Sequence, residues 1–247
     1  MSKGWMQEDN FGFKNCWLAY FDILGFRGLV EVATKPEDLV LTRMRYSAAL
    51  KALQKLVKNS QLLDFTYFSD TFIIFSNDDS KGSYGAIQQA AKEFMHKCIS
   101  NRVPMRGAIS FGRLTDSFNR KEKVLIGPAL IDAYDHGEDQ KWIGLILTPK
   151  ALNKINKFKL NPITHDFRLI DKGVMKKFNT KPFYAYRLSC GRHSAESPLL
   201  PPLNEMKQKV KSLHRGTTSK KKKDKYLEII AMYERTENFL KKHYEFT

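Results

Sequence analysis

The strongest hydrophobic pattern near the start of the chain is the run Cys16-Trp-Leu-Ala-Tyr-Phe-Asp22, in which apolar residues follow one another without interruption until the last position. Such a run is typical of a strand that is buried on both faces, because a half-buried strand would alternate apolar and polar residues. It ends in a carboxylate, Asp22, and Gly25 follows soon after. A buried strand that ends in an acid needs a reason, so Asp22 is a candidate functional residue.

Two later stretches have the apolar period of an amphipathic helix. Apolar residues recur every three to four positions over residues 37–59, after Pro36 in a place suited to a first helical turn. Residues 82–101 repeat the pattern with Ile87, Ala91, Phe94, Met95 and Cys98. Both stretches are predicted to be helices that pack one face against a sheet.

Between and after these helices, the pattern changes to the period of strands. Residues 64–75 form two short β-type runs separated by Ser69 and Asp70, which predicts a tight hairpin with Asp70 at its tip. Residues 105–111 predict another strand, in which Gly107 allows close approach of a neighbouring backbone.

The order strand, helix, two hairpin strands, helix, strand is the βαββαβ unit of ferredoxin-like folds. Further short elements are predicted to complete one α+β domain over residues 10–190. They are an exposed hairpin over 115–123, a helix over 126–135, a strand over 142–147, a helical segment near Ala151, and strands near Phe167 and over 183–188.

The composition changes after Cys190. Residues 191–202 contain Gly, Ser and three prolines, which predicts a linker. Four consecutive lysines at 220–223 are interpreted as a solvated turn, and an amphipathic helix is predicted over 224–244. The region 191–247 is thus predicted to be a basic linker followed by a C-terminal helix.

Composition and charge narrow the class of protein. The 247 residues are 42% hydrophobic, enough for a sizeable core, which excludes a disordered chain. The formal net charge of +16 favours a polyanionic partner, whether nucleic acid, nucleotide phosphates or an acidic membrane face. The three cysteines lack metal-binding spacing, and no segment has the length and hydrophobicity of a membrane span. We expect a cytoplasmic protein without a membrane partner.

Asp22 and Asp70 become neighbours in the βαββαβ topology, since its first strand lies beside a strand of the hairpin. Either aspartate alone would be interpreted as a turn or cap residue. Two carboxylates at one end of a sheet repel each other unless a cation lies between them, and Mg²⁺ or Mn²⁺ carrying triphosphate oxygens meets that need. The turn that follows the first strand adds backbone N–H groups for the phosphates. The turn runs from Ile23 through Leu24, Gly25 and Phe26 to Arg27.

Four short motifs lie in order between residues 16 and 134. They are Phe21-Asp22-Ile-Leu-Gly25-Phe26, Ser69-Asp70-Thr-Phe-Ile, Met105-Arg106-Gly-Ala-Ile-Ser-Phe-Gly112 and Ile126-Gly127-Pro-Ala-Leu-Ile-Asp-Ala133-Tyr. Each is weak alone, but the ordered set resembles the class III nucleotide cyclases, the catalytic domains of adenylate and guanylate cyclases. The resemblance covers about half of the chain.

This resemblance implies a reaction and a site. Enzymes of this class convert a nucleoside triphosphate into a 3′,5′-cyclic monophosphate and pyrophosphate. By resemblance, Asp22 and Asp70 would bind two metal ions, Mg²⁺ or Mn²⁺, with help from the Ile23 carbonyl, and Arg106 would contact phosphate. The resemblance also implies a homodimer, because sites of this class are built across a subunit interface.

Two positions that read purine bases in the family are different here. The family has a lysine four residues before the second aspartate and an aspartate three residues before the helix glycine; this chain has Thr66 and Val124. We therefore expect a smaller base, in UTP or CTP, with the Thr66 hydroxyl as a candidate contact. The subgroup this pattern favours is the pyrimidine cyclases of bacterial Pycsar antiphage systems, which make cyclic UMP or cyclic CMP.

The helix motif also departs from the family. Ile131 and Asp135 occupy the places of an asparagine and an arginine that stabilise the ribose and the phosphorus centre in the family. Cations on the preceding polar segment, namely Arg113, Arg120, Lys121 and Lys123, could replace the arginine.

The rival interpretation is a non-catalytic binding module. It would be a degenerate cyclase fold that holds nucleotide, or a basic protein that binds RNA through Lys207, Lys209, Lys211 and the lysine run. The loss of the helix asparagine and arginine favours this interpretation, whereas retention of both metal-site aspartates favours the enzyme and makes a nucleic-acid partner the weaker expectation.

Overall fold

One mixed sheet organises the protein, which we describe from a computed structural model covering residues 13–26, 40–119, 122–170, 174–178, 183–186 and 200–244. Within these residues the strands are β1 (Phe13–Ile23), β2 (Leu63–Phe68), β3 (Thr71–Ser76), β4 (Met105–Asn119), β5 (Glu122–Ile126), β6 (Gly144–Leu147), β7 (Phe167–Ile170) and β8 (Phe183–Tyr186). The helices are α1 (Val40–Lys58), α2 (Lys81–Ser100), α3 (Pro128–Glu138), α4 (Pro149–Lys157), α5 (Leu200–Gly216) and α6 (Lys220–Tyr244), and a 3-10 turn spans Pro162–His165.

The strand order confirms the predicted ferredoxin-like core. The sheet runs β2-β3-β1-β4-β6-β8-β7, and β5 forms a hairpin with the outer part of β4. Its first four positions, together with α1 and α2, are the βαββαβ unit, in which β1 is antiparallel to both β3 and β4. The sheet then continues through β6, which is parallel to β4.

β1 is buried on both faces, which explains its unbroken apolar sequence. Trp17 and Phe21 point into the larger core cluster with residues of α2 such as Phe94. Leu18 and Tyr20 point to the other face, where they pack with α3. The carboxylate at the end of this strand is therefore held by packing on two sides.

α3 begins tightly against β4 because its preceding residue is glycine. A Cβ atom at Gly127 would lie 2.4 Å from the Arg113 carbonyl oxygen, closer than atoms can approach. Pro128 follows in the first turn, where a missing N–H costs nothing. α3 therefore covers the face of the sheet that carries Asp22, and it runs to Glu138, three residues beyond its predicted end.

The C-terminal region is more helical than predicted. The expected linker ends early, because α5 begins at Leu200 with Pro201 and Pro202 in its first turn. The interpretation of residues 220–223 as a turn is wrong, because lysine favours helix and these residues form the first turn of α6.

Both C-terminal helices pack on the core. Leu203 and Met206 of α5 are buried in the main cluster, and the Phe239 ring of α6 lies 5.0 Å from that of Trp142. The predicted C-terminal helical extension is thus confirmed, while the division at residue 190 stays a prediction. Among the described residues, no helix is both long and apolar enough to cross a membrane.

Candidate metal and phosphate site

The structure brings Asp22 and Asp70 to the same end of two adjacent strands. Asp22 pairs with Thr71 in the register of β1 and β3, and the backbone N–H of Ile23 donates to the Asp70 carbonyl at 3.1 Å. Ser69 turns the hairpin with a φ of 52°, in the left-handed region that tight turns use. The predicted neighbourhood of the two aspartates is confirmed.

Arg106 is held at this site by two carboxylates. It pairs with Asp22 in the register of β1 and β4, and its Nε donates to Asp22 Oδ2 at 3.0 Å. Its Nη2 donates to the Glu138 carboxylate, and its Nη1 donates to the Glu138 carbonyl at 2.8 Å. The Arg106 side chain is only 12% exposed, so these contacts fix its position.

Glu138 and Tyr20 belong to the site but were missed from the sequence. The Tyr20 hydroxyl donates to Glu138 Oε1 at 3.0 Å, and burial raises the pKa of Tyr20, so it remains a neutral donor. Two signals were available. Tyr20 lies two residues before Asp22 and thus on the same face of β1, and Glu138 places an acid at the helix end that disfavours negative charge.

Negative charge outweighs positive charge around Asp22. Burial, together with the nearby charges of Glu138 and Asp70, raises the pKa of the Asp22 carboxyl to about 7, even though Arg106 acts to lower it. Asp22 Oδ1 has no hydrogen-bond partner among the described residues. Two carboxylates share the Arg106 guanidinium, and the negative charge of Asp70 also acts on Asp22, which favours an additional cation here.

The donors present fit a hard divalent cation that keeps other oxygens in its shell. Within the described ranges, no group of three or more His, Cys, Asp and Glu side chains has the geometry of a metal site. Asp22 and Asp70 supply two carboxylates, and the Ile23 carbonyl lies at the same strand end. Mg²⁺ and Mn²⁺ are commonly bound by one or two carboxylates plus waters and substrate phosphates, so this smaller set is sufficient.

The turn after β1 offers fewer N–H groups than predicted. The Ile23 N–H is bonded to Asp70 and the Leu24 N–H donates to the Pro104 carbonyl at 2.9 Å. The prediction that the Ile23 N–H binds phosphate is therefore wrong, because sheet pairing already uses it. Gly25 has a φ of 76°, which suits glycine, and the Phe26 ring lies 6.2 Å from that of Tyr46. The N–H groups of these two residues stay candidates; Arg27 lies outside the described residues.

Thr66 lies on the same face of the sheet as Asp22. It pairs with Ile73 of β3, and Ile73 pairs with Tyr20 of β1. Two strand spacings of about 4.8 Å place Thr66 roughly 10 Å across the sheet from the Tyr20–Asp22 segment. Its proposed contact with a base stays a prediction.

The other family positions lie away from Asp22 of the same chain. Val124 pairs with Ser117 beyond the start of β1, and its side chain is outside the description. Ile131 is 62% exposed on α3 and Asp135 is exposed on the same helix.

Among the proposed replacement cations, Arg113 is exposed and lies about 23 Å along β4 from Arg106, at about 3.3 Å per residue. Arg120 and Lys121 lie outside the described residues, as does the side chain of Lys123.

The lysines of the RNA-binding interpretation do not form one unpaired surface. Lys207 pairs with Glu237 in a largely buried contact, and Lys211 lies 3.8 Å from Glu234. Lys209 is exposed. Two of the three lysines on α5 therefore face acids of α6, one of them in a buried pair and the other at the surface.

Comparison with known proteins gives distant structural likeness. No family model and no curated protein matches the chain. Among solved structures, the chain is similar to the monomeric guanylyl cyclase domain of the RhoGC fusion protein from Blastocladiella emersonii, with 9% identity over 70% of this chain and 95% of that one and a TM-score of 0.49. It is also similar to the adenylyl cyclase CyaB from P. aeruginosa, with 13% identity over 74% of this chain and 97% of that one and a TM-score of 0.47.

A third similar structure is described as a class III adenylyl cyclase-like ATP-binding protein from Pseudomonas aeruginosa. Its identity is 14%, over 58% of this chain and 35% of that one, with a TM-score of 0.46. These proteins are of the class that the sequence motifs resemble. At such identities and scores the likeness establishes neither an activity nor a substrate for this chain.

Proposed function

We propose that the protein is a metal-dependent nucleotide cyclase. In the proposed reaction the 3′-oxygen of a nucleoside triphosphate forms a bond to the α-phosphorus, and the bond from that phosphorus to the bridging oxygen breaks. Pyrophosphate leaves, the 3′-hydroxyl proton passes to solvent, and a 3′,5′-cyclic monophosphate remains. The observation that carries the proposal is the cluster of Asp22, Asp70 and Arg106 at one strand end, which combines cation ligands with a phosphate-binding guanidinium.

The roles of the residues follow from their chemistry. Asp22 and Asp70 would hold two Mg²⁺ or Mn²⁺ ions, assisted by the Ile23 carbonyl. Such ions lower the pKa of the attacking hydroxyl and neutralise the leaving pyrophosphate. Arg106 would donate to a phosphate oxygen, and Glu138 and Tyr20 would hold its guanidinium in place until then.

We further propose that the substrate base is a pyrimidine. Thr66 stands where the family has its base-reading lysine. A threonine hydroxyl can donate to or accept from the edge of uracil or cytosine. UTP and CTP should therefore be turned over faster than ATP and GTP; a role of the product in antiviral signalling would follow from the same subgroup.

The proposed active form is a homodimer. Ile131 and Asp135 occupy family positions that act on the partner's substrate, and both are exposed on α3 instead of facing Asp22 of their own chain. In a dimer, one subunit would supply the aspartates and the other would supply the base pocket and the α3 face.

The experiment is incubation of the full chain with each of the four ribonucleoside triphosphates and Mn²⁺, with products resolved by mass spectrometry. We expect cyclic UMP or cyclic CMP as the main product. A 3′-deoxy analogue of the preferred substrate is the matched control, since it lacks the attacking oxygen and should give no cyclic product. Fastest turnover of ATP would contradict the pyrimidine proposal while leaving the cyclase proposal intact.

A second candidate is a module that binds metal and nucleotide without turnover. It is favoured by Ile131 and Asp135, which cannot replace the asparagine and arginine of the family chemically, and by the engagement of Arg106 with two carboxylates. Saturable binding of a Mn²⁺–nucleotide complex with no cyclic product from any triphosphate would support this candidate over the enzyme.

A further inference from the structure

A basic cleft lies at the opposite end of β1 and β4 from Asp22. It is a cleft of about 430 Å³ between β4, the start of β1 and α4. Its lining residues are Asn15, Phe111, Gly112, Arg113, Pro128, and four residues of α4. These four, Lys150, Asn153, Lys154 and Lys157, recur at intervals of three and four, so they share one face of the helix. The cleft volume falls within the range of small-ligand pockets.

Two of the four cations that line the cleft pair with acids, and two do not. Lys150 lies 3.4 Å from Asp132 and Lys154 lies 2.6 Å from Asp79. Arg113 and Lys157 have no ion pair among the described residues. Within the part of the chain that the structure describes, no acidic residue lines the cleft itself. At least two positive charges therefore remain available to a ligand.

The floor of the cleft is apolar and rigid. Phe111 lies 4.9 Å from Trp17, ring to ring, and so is fixed to the core. Lys154 lies 4.7 Å above the Phe111 ring, and Pro128 adds a further apolar wall. A ligand with an apolar part as well as a charge matches this lining better than a bare ion does.

We infer that this cleft binds a small phosphate-bearing molecule of nucleotide size, with its phosphate at Arg113 and Lys157 and its less polar part against Phe111 and Pro128. Arginine and lysine are the residues that bind phosphate oxygens best. Arg113 and Arg106 lie about 23 Å apart on β4, so the cleft is separate from the proposed metal site in the same chain. The inference does not depend on the proposed catalytic activity.

Calorimetric titration of the full chain in EDTA tests the inference, with UMP, uridine and inorganic phosphate as the probes. The cleft variant is Arg113→Gln with Lys157→Gln, and the matched control is Lys97→Gln, which removes an exposed helical lysine outside the cleft. Asp22→Ala is tested in parallel, because it damages the metal site without touching the cleft.

We expect UMP to bind the native chain, the Lys97→Gln control and Asp22→Ala alike, and to bind the cleft variant about tenfold more weakly or worse. Uridine and phosphate should each bind more weakly than UMP. Equal UMP binding by the cleft variant and the control would overturn the inference, as would loss of binding in Asp22→Ala alone. If inorganic phosphate bound as tightly as UMP, the inference that the ligand is of nucleotide size would be overturned. Lys157→Glu, a single exposed change, repeats the test if the double variant melts early.

Discussion

Arg106 donates to Asp22 and to Glu138 at once, so it needs to exchange a partner before it can contact a substrate phosphate. Its side chain is nearly buried, and both carboxylates are fixed, one by β1 and the other by the end of α3. A cation at Asp22 would compete with the guanidinium for that carboxylate. At the scale of single residues, Arg106 and a bound metal ion would therefore compete for the same carboxylate, that of Asp22.

We expect Asp22→Asn and Asp70→Asn each to reduce cyclase turnover by about a hundredfold or more, because each removes one charged ligand of the proposed metal pair. Both variants should remain folded, since amide and carboxylate have nearly the same shape. Initial rates with UTP and Mn²⁺, measured beside circular dichroism melts, check this. Asp224→Asn, an exposed change on α6, is the matched control and should keep full activity. A near-native rate in either site variant would contradict the proposal that Asp22 and Asp70 bind the metal ions.

The pKa of Asp22 predicts a pH dependence of stability in the metal-free protein. Its ordinary value is 3.8 and burial raises it to about 7 in the folded state, so the folded state binds the proton more tightly than the unfolded state does. Its contribution to stability is thus present below pH 4 and is lost as the pH rises through about 7.

The Asp22→Asn variant has no carboxyl group at this position, so its stability does not change through the titration of residue 22. In EDTA, wild type should become less stable relative to Asp22→Asn between pH 5 and pH 8, by on the order of 1 to 3 kcal/mol. Melting temperatures of both proteins over that pH series measure the difference. If the melting temperatures of the two proteins changed in parallel with pH, the pKa of the Asp22 carboxyl would not be raised in the folded state.

Sequence reasoning located Asp22 and Asp70 as neighbours because strand pairing in a known topology fixes which strand ends meet. It did not find the partners of Arg106, because Glu138 reaches the site from a helix end whose position depends on tertiary packing. It also overestimated the number of free N–H groups in the turn after β1, because the Ile23 N–H donates to the Asp70 carbonyl at the hairpin tip. Such pairing depends on exact register, which apolar patterns leave open.

At the scale of elements, the contact between α3 and β1 positions the site. Gly137 of α3 packs so closely on Tyr20 that a Cβ atom would lie 2.6 Å from the ring. The Tyr20 ring has little freedom to move, since it contacts the Tyr134 ring edge-on at 5.5 Å and its hydroxyl donates to Glu138. The position of the last turn of α3 therefore sets the position of Glu138, which holds the Arg106 guanidinium.

Gly137→Ala should destabilise the protein by about 1 to 3 kcal/mol through overpacking, and should lower activity because the Tyr20–Glu138 bond is displaced. Gly85→Ala is the matched control. Gly85 is exposed in α2, and no atom of the described residues lies within 4 Å of its Cβ position, so alanine there should stabilise the protein by about 0.5 to 1 kcal/mol. Chemical denaturation of both variants gives the two free energies. Equal effects of the same sign would contradict the close contact.

The apolar period predicted α1 and α2 and the hairpin of β2 and β3, because each pairs one buried face with one exposed face. It missed α5, whose prolines and lysines indicate a linker when the sequence is considered without its packing partners. Leu200, Leu203 and Met206 bury one narrow stripe of α5, and Val210 packs partly buried against the same cluster. Propensity is overridden here by burial against the core.

At the scale of the whole molecule, the acids and the exposed face of α3 do not meet within one chain. Ile131 and Tyr134 are both more than half exposed on that face. A second copy that covers them would place this face near the acids of its partner. Isologous contact of this kind is the commonest route to a symmetric dimer.

Mixing of two inactive variants tests this arrangement. Asp22→Ala damages the metal half of a site, and Asp135→Ala removes an exposed side chain from the α3 half without adding a charge to the proposed interface. In a randomly mixed population, half of the dimers would be heterodimers with one intact site, so about a quarter of wild-type activity should return. Sedimentation over a concentration series shows whether the wild type and the mixture are dimeric under the assay conditions. A monomer that turns over nucleotide, or mixed dimers without recovery, would contradict a shared site.

Phosphorus NMR of UTP incubated with the full chain and Mg²⁺ addresses the proposed chemistry itself. The three triphosphate signals should be replaced by a cyclic phosphodiester signal and a pyrophosphate signal in a one-to-one molar ratio, and Asp70→Asn should leave the triphosphate unchanged. Formation of orthophosphate and UDP instead, or unchanged signals for all four triphosphates at concentrations where the chain is dimeric, would show that the protein is not a cyclase.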